Sequence, residues 1–143
     1  MADIEIKKIL YPVALTEISE KIVPYVFFIS EKFGSEVHLM FVARMGRKEF
    51  FETPESVLGL ATERLKEFVE EHFKNYPVKT KVVSGDPADR IIEYIDAEDI
   101  DLVIMGTHGR KGLEKILLGS VAAEVISRSK APVVTINPFR IDT

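Results

Sequence analysis

The sequence contains no cysteine, which removes disulfides, thiolate nucleophiles and thiolate metal ligands together, although that absence alone names no compartment. It also lacks any stretch near the ~18 unbroken apolar residues that a membrane-spanning helix needs, so no membrane partner is expected. Its opening, MADIEIKKIL, has acidic residues ahead of its lysines and no apolar run leading to a small-residue cleavage site. No secretory signal is read there, and a cytoplasmic location is expected. A basic excess is missing as well: 23 Asp and Glu against 19 Lys and Arg leave a formal charge of -4. Domains that neutralise several backbone phosphates usually carry the opposite balance, so no nucleic-acid partner is expected.

Signatures of catalysis and of the better-known phosphate loops are absent too. There is no H-E-x-x-H, no nucleophile elbow and no evident pair of catalytic carboxylates. Neither a Walker-type glycine loop ending in Gly-Lys-Ser or Gly-Lys-Thr nor a G-x-G-x-x-G is present, which excludes a P-loop NTPase and a standard dinucleotide binder.

What remains is an ordinary globular composition, 46% hydrophobic and 29% charged, over 143 residues. That length suits one domain spanning 1–143 with a sizeable core. Apolar runs alternate with helical patterns along it. Ile9 to Leu15 reads as a first strand buried on both faces, and Ile18, Ile22, Val26, Ile29 and Phe33 as one face of a helix ended by Gly34. Pro24 implies a kink in that helix or a start near Val23. Val37 to Val42 is a second strand, followed by a long loop from Ala43 to Thr53 that carries Arg44, Arg47, Lys48 and Phe50-Phe51.

Pro54 opens a helix with Leu58, Ala61, Leu65, Phe68 and His72 inside and a charged outer face. Val78 to Ser84 reads as a strand near an edge, because Lys79 and Lys81 interrupt it. Gly85-Asp86-Pro87 turns into a helix that buries Ile91, Ile92 and Ile95. Asp101 to Met105 is short and apolar enough for a central strand. Leu113 to Arg128 forms the last helix, and Ala131 to Ile136 the fifth strand. The expected fold is therefore α/β: a five-stranded parallel sheet with helices on both faces, flavodoxin- or Rossmann-like, of order 3-2-1-4-5. Its ligand crevice would lie between strands one and four, at Pro12 to Thr16 and Gly106 to Ser120.

The stretch MGTHGRKGLEKILLGS, Met105 to Ser120, places four of the chain's eight glycines in sixteen residues at the end of the fourth strand. Gly106 and Gly109 can present backbone N–H groups to a bulky anion. Gly119 inside a helical pattern costs about 1 kcal/mol relative to alanine, so something should compensate. If the helix proper starts near Ser120, that serine is its N-cap and the amides of Val121, Ala122 and Ala123 face an anion favoured by the helix dipole. Arg110 and Lys111 would add charge. A turn at Gly106 and Gly109, with Gly119 permitting close helix packing, is the competing explanation.

Gly106, Gly109, Gly119 and Ser120 fit the pattern G-x2-G-x9-G-[ST], and with it the chain resembles single-domain universal stress proteins of the nucleotide-binding branch. KILYP, VHLMFV, SGDPADRI, DLVIMGTHGR, LLGSVAAEVI and APVVTI extend the resemblance over nearly the whole chain. It implies a homodimer joined through the last strand, Val133 to Ile136. It also implies binding of ATP, or of AMP or ADP, with Mg2+ or Mn2+ held through the phosphates. Carried over by residue, it implies that Gly109, Gly119, Ser120 and Val121 hold phosphates and that Gly106, with Met105 close by, lies near the ribose. Val42 would offer its backbone to the adenine edge, while Pro12 and Val13 would line the base and ribose pocket. In ATP-binding relatives an aspartate usually stands two residues beyond the proline, and here that residue is Ala14.

Of the three histidines, His38 and His72 read as structural, while His108 lies inside the candidate phosphate loop without an evident carboxylate partner. Efficient catalysis is not expected. The leading expectation is a regulatory, nucleotide-binding stress-response module. A nucleotide-independent interaction module and a slow ATPase are the alternatives.

Overall fold

An apolar strand with no wet face must be covered from both sides, and the first strand is. The structure, a computed structural model, describes residues 3–44, 54–109 and 117–141. It contains β1 (Lys8–Pro12), α1 (Val23–Phe33), β2 (Glu36–Ala43), α2 (Pro54–His72), β3 (Val78–Ser84), α3 (Pro87–Ala97), β4 (Leu102–Gly106), α4 (Ser120–Arg128) and β5 (Val133–Ile136). The strands form one sheet of order β3-β2-β1-β4-β5, and every pairing is parallel. Ile9 lies between Val37 and Leu102, and Leu10 between His38 and Val103, so β1 is central in register as well as in order.

Side chains alternate across a strand, and the two faces of the sheet bury separate cores. Ile9 and Tyr11 point with Leu39 and Ile104 into a core closed by Val26 of α1 and Leu65 and Phe68 of α2. Leu10, Met40 and Val103 point the other way, onto Ile91 and Ile95 of α3 and Ala122 and Val125 of α4. The expected edge position of β3 and central position of β4 both hold. Asp86 starts α3 with a side-chain cap, its carboxylate accepting the Asp89 amide at 3.0 Å ahead of Pro87 in the first turn.

Several boundaries depart from the sequence reading, each for a local reason. β1 stops at Pro12 rather than Leu15, because Leu15 adopts a left-handed φ of 57° that no strand can include. The first helix starts at Val23, where Pro24 occupies its first turn at no cost to the hydrogen-bond ladder, and Ser19–Lys21 forms a separate tight turn ahead of it. Phe33, assigned to the inner face, is 56% exposed, since Gly34 turns the chain away immediately after it. Leu58, His72 and Ile92 are only half-buried. The last helix begins at Ser120; the expected lead-in from Leu113 lies partly outside the described residues, as does most of the 43–53 loop, including Arg47, Lys48 and Phe50-Phe51. The fifth strand begins at Val133, two residues later than expected.

Candidate functional site

In this sheet the strand order reverses between β1 and β4: from β1 the chain moves to β2 on one side, and it later returns to β4 on the other. Connections therefore diverge at the carboxyl ends of these two strands and leave a crevice. A cavity of roughly 510 Å3 opens there. Pro12, Val13 and Ala14 line it from the end of β1, and Phe41, Val42 and Arg44 from the end of β2. Met105, Gly106 and Gly109 approach from β4 and its loop, and Gly119, Ser120 and Val121 from the start of α4. The residues expected at the site thus border one cavity, except Ala123, which is not in its lining, and Arg110 and Lys111, which lie outside the described residues.

The two halves of the glycine stretch meet through backbone. The Gly119 amide donates to the Thr107 carbonyl at 2.8 Å, and a Cβ on Gly119 would stand 2.8 Å from the same oxygen. Gly119 has an ordinary extended conformation, φ -65° and ψ 153°, so this close approach, not backbone freedom, forbids a side chain there. At Gly106 a Cβ would come within 3.1 Å of the His108 carbonyl oxygen, which is also tight. Gly109 differs: among the described atoms a Cβ there would meet only the Ala14 Cβ, at an ordinary 3.5 Å. Packing among the described residues accounts for two of these glycines and gives no steric reason for Gly109.

The expectation that Ser120 caps the last helix is corrected. Gly119 is the cap, without a side-chain hydrogen bond, and Ser120 is the first helical residue, because the contact with Thr107 fixes Gly119 outside the helix. The first rung of the helix is the bond from the Ala123 amide to the Gly119 carbonyl, 3.0 Å long. The amides of Val121 and Ala122 precede that rung, and Ala123, expected to be open, is used. Amides ahead of the first rung and the positive end of the helix dipole favour an anion at this corner of the cavity. Among the described residues no carboxylate lines it, and Arg44 adds a cation.

The loop after β1 is held from several directions. Tyr11 Oη donates to the Ser19 carbonyl at 2.7 Å, and the Thr16 amide donates to Ser19 Oγ at 3.1 Å. Arg64 of α2 donates to the carbonyl of the left-handed Leu15 at 2.9 Å, and Thr16 Oγ1 donates to the Gly109 carbonyl at 2.9 Å. Burial pushes the Tyr11 phenol well above its ordinary range. Sequence reading named the segment to Thr16 but not Thr16 itself as the bridge to the glycine loop, and it missed Arg64. A hydroxyl four residues past Pro12 is a usable signal for the former. Nothing along the sequence marks Arg64, which lies on a charged helix face.

His108 lines the cavity with a buried ring, its Nδ1 2.7 Å from Thr107 Oγ1 and its edge against Phe139 at 5.3 Å between centroids. His38 sits at the opposite end of the sheet, between Tyr94 Oη at 2.5 Å and Glu36 Oε1 at 2.7 Å. Its ring is buried within a partly exposed polar network away from the crevice.

The universal stress protein family model matches residues 5–137. The chain belongs to the universal stress protein family. The universal stress protein MJ0531 of Methanocaldococcus jannaschii is 33% identical over 140 residues, which cover 91% of this chain and 81% of that protein. The universal stress protein MJ0577 of the same organism is 31% identical, over 91% of this chain and 94% of its own length. The solved structure of MJ0577 shares the fold with a TM-score of 0.81 at 30% identity, over 98% of this chain and 100% of that one. A universal stress protein family member from Arabidopsis thaliana with AMP bound shares the fold at a TM-score of 0.65 and 19% identity, over 92% of this chain and 91% of that one. The sheet order and the alternation of strands and helices are those of the universal stress protein fold.

Proposed function

We propose that this universal stress protein binds an adenine nucleotide, ATP or its ADP or AMP forms, in the crevice between β1 and β4, and that occupancy is a regulatory signal. The observation that carries this reading is the meeting of the Gly106–Gly109 loop with the first turn of α4 around one cavity that favours an anion. Gly109, Gly119, Ser120 and Val121 would take the phosphates. Gly106 and Met105 would face the ribose, the Val42 backbone the adenine edge, and Pro12 and Val13 the base. With no carboxylate in the described lining, Mg2+ or Mn2+ would be held through the phosphates rather than by acidic side chains. The AMP carried by the Arabidopsis relative makes adenine nucleotides the first ligands to test. A homodimer paired along β5, an edge strand of mostly apolar, half-buried residues, and a cytoplasmic location belong to the same reading.

One observation favours a second reading, a nucleotide-independent interaction module. Ala14 is exposed at the cavity and offers no acceptor where ATP-binding relatives carry a carboxylate. Two measurements separate the readings: absorbance near 260 nm in the supernatant of the denatured native protein, and calorimetric titration with ATP and Mg2+ of the wild type against Gly109→Val. Binding that only the wild type shows supports the nucleotide site. No binding in either, or equal binding in both, overturns it.

A further inference from the structure

Away from the crevice, Glu20, Glu71 and His72 each place one donor atom so that all three atoms lie within 4.8 Å of one another. We propose that these three residues form a surface site for a divalent transition-metal ion of the zinc class. The ion would clip the turn that enters α1 to the end of α2.

His72 Nε2 is 3.8 Å from an oxygen of Glu20 and 3.8 Å from an oxygen of Glu71. Both separations exceed the roughly 2.7–3.2 Å of a hydrogen bond from a ring nitrogen. They are close to the edge of a tetrahedron around zinc, whose bonds of about 2.0–2.1 Å hold donors about 3.3 Å apart. The two histidine separations must close by about half an ångström, and the two carboxylate oxygens, within 4.8 Å of each other, must also draw together; both glutamates are exposed, so side-chain rotation can do this. The imidazole is already fixed, because its ring packs against Phe68 at 4.6 Å between centroids and its side chain is only 19% exposed.

Charge points the same way. Two carboxylates converge here, and among the described residues no lysine or arginine pairs with either, whereas Glu36, Glu93 and Glu124 each have such a partner. A cation relieves that convergence. One nitrogen and two oxygen donors suit zinc and its neighbours in the transition series better than Mg2+ or Ca2+, which prefer oxygen alone. Three protein ligands leave a fourth position to water.

The clip joins residues more than fifty positions apart in sequence beside Ser19, the residue that anchors the loop after β1. An ion bound there stabilises the folded chain by mass action.

Untagged, chelator-stripped full chain is titrated with ZnCl2, and separately with MgCl2, by calorimetry and by thermal unfolding. Wild type is expected to bind one Zn2+ and to unfold at a higher temperature with it, with no response to Mg2+. Glu20→Gln and His72→Gln are expected to weaken Zn2+ binding about tenfold or more and to lose the thermal shift. Glu20 is exposed, so Glu20→Gln should leave the metal-free unfolding temperature unchanged. Absence of Zn2+ binding by wild type overturns the proposal, as does an undiminished response in Glu20→Gln.

Discussion

Gly119 lies so close to Thr107 that its amide bonds the Thr107 carbonyl at 2.8 Å and a methyl group would stand 2.8 Å from the same oxygen. Gly109, two residues past Thr107, has ordinary room for a methyl group among the described atoms. The two glycines therefore answer to different constraints, and substitution should separate them.

Gly119→Ala should destabilise the fold by about 1–3 kcal/mol, the usual cost of forcing an extra carbon into a packed site. Gly109→Ala should leave stability within about 0.5 kcal/mol of wild type while weakening nucleotide binding. Urea unfolding and calorimetry on the same samples check both. A Gly109→Ala protein that binds ATP as wild type does would show that the cavity does not use that glycine for phosphate.

Ala14→Asp should strengthen binding of an adenine nucleotide. The position is exposed on the cavity wall, and a hydrogen bond to a charged acceptor contributes about 1.5–3 kcal/mol, or roughly ten- to a hundredfold in affinity. Titration of both proteins with ATP and Mg2+ measures the gain. An unchanged dissociation constant would mean that a carboxylate at 14 does not reach the ligand.

Tyr11 links stability to alkaline pH. Its phenol is raised by burial above the ordinary value of 10.0, so above that pH the native state keeps a proton that the unfolded chain releases. The stabilisation is complete below about pH 10 and is lost as pH rises through the folded value. Tyr94, raised to about 12 by burial and then by the charges of Glu98 and Glu36, adds to the same fall. Tyr11→Phe should lower stability by about 0.5–1.5 kcal/mol at pH 8, because the Ser19 carbonyl loses one of its two donors and keeps only the Ile22 amide. It should also make the decline above pH 10 shallower, which unfolding curves at pH 8, 10 and 11 will show.

The edge of β5 offers a test of the dimer. Pro132 and Ile136 direct their carbonyls toward Val103 of β4 and Thr107 just after it, so Val133 and Thr135, in alternate positions, direct their backbone groups outward. Thr135→Pro removes an outward donor without breaking a bond to β4. Light scattering should report a dimer for the wild type and a monomer for Thr135→Pro, with matching far-UV circular dichroism. A monomeric wild type would remove the β5 interface from the proposed function.

Much of this was legible from residues in order. The short apolar run from Leu102 to Met105 reads as a central strand, Gly34 marks the end of α1, and Pro24 left a kink or a start near Val23, of which the structure has the second. The expected strand order placed the crevice between β1 and β4, where the cavity opens. Less legible were features that depend on what comes near from elsewhere: the exposure of Phe33, the reach of Arg64 to Leu15, and the cap at Gly119 rather than Ser120. Capping rules favour serine because its side chain can accept an amide. The bond from Gly119 to Thr107 overrides that preference, and no local pattern encodes it.

By itself, then, the sequence determined the parallel α/β sheet, its order and the family, because burial on two faces and glycine at fixed intervals are local demands written residue by residue. Tertiary structure alone decided why Gly119 is a glycine. The Thr107 carbonyl excludes a side chain at 119, while nothing described excludes one at 109. Steric exclusion is a property of two backbones meeting, and it exists only once β4 and α4 are brought together.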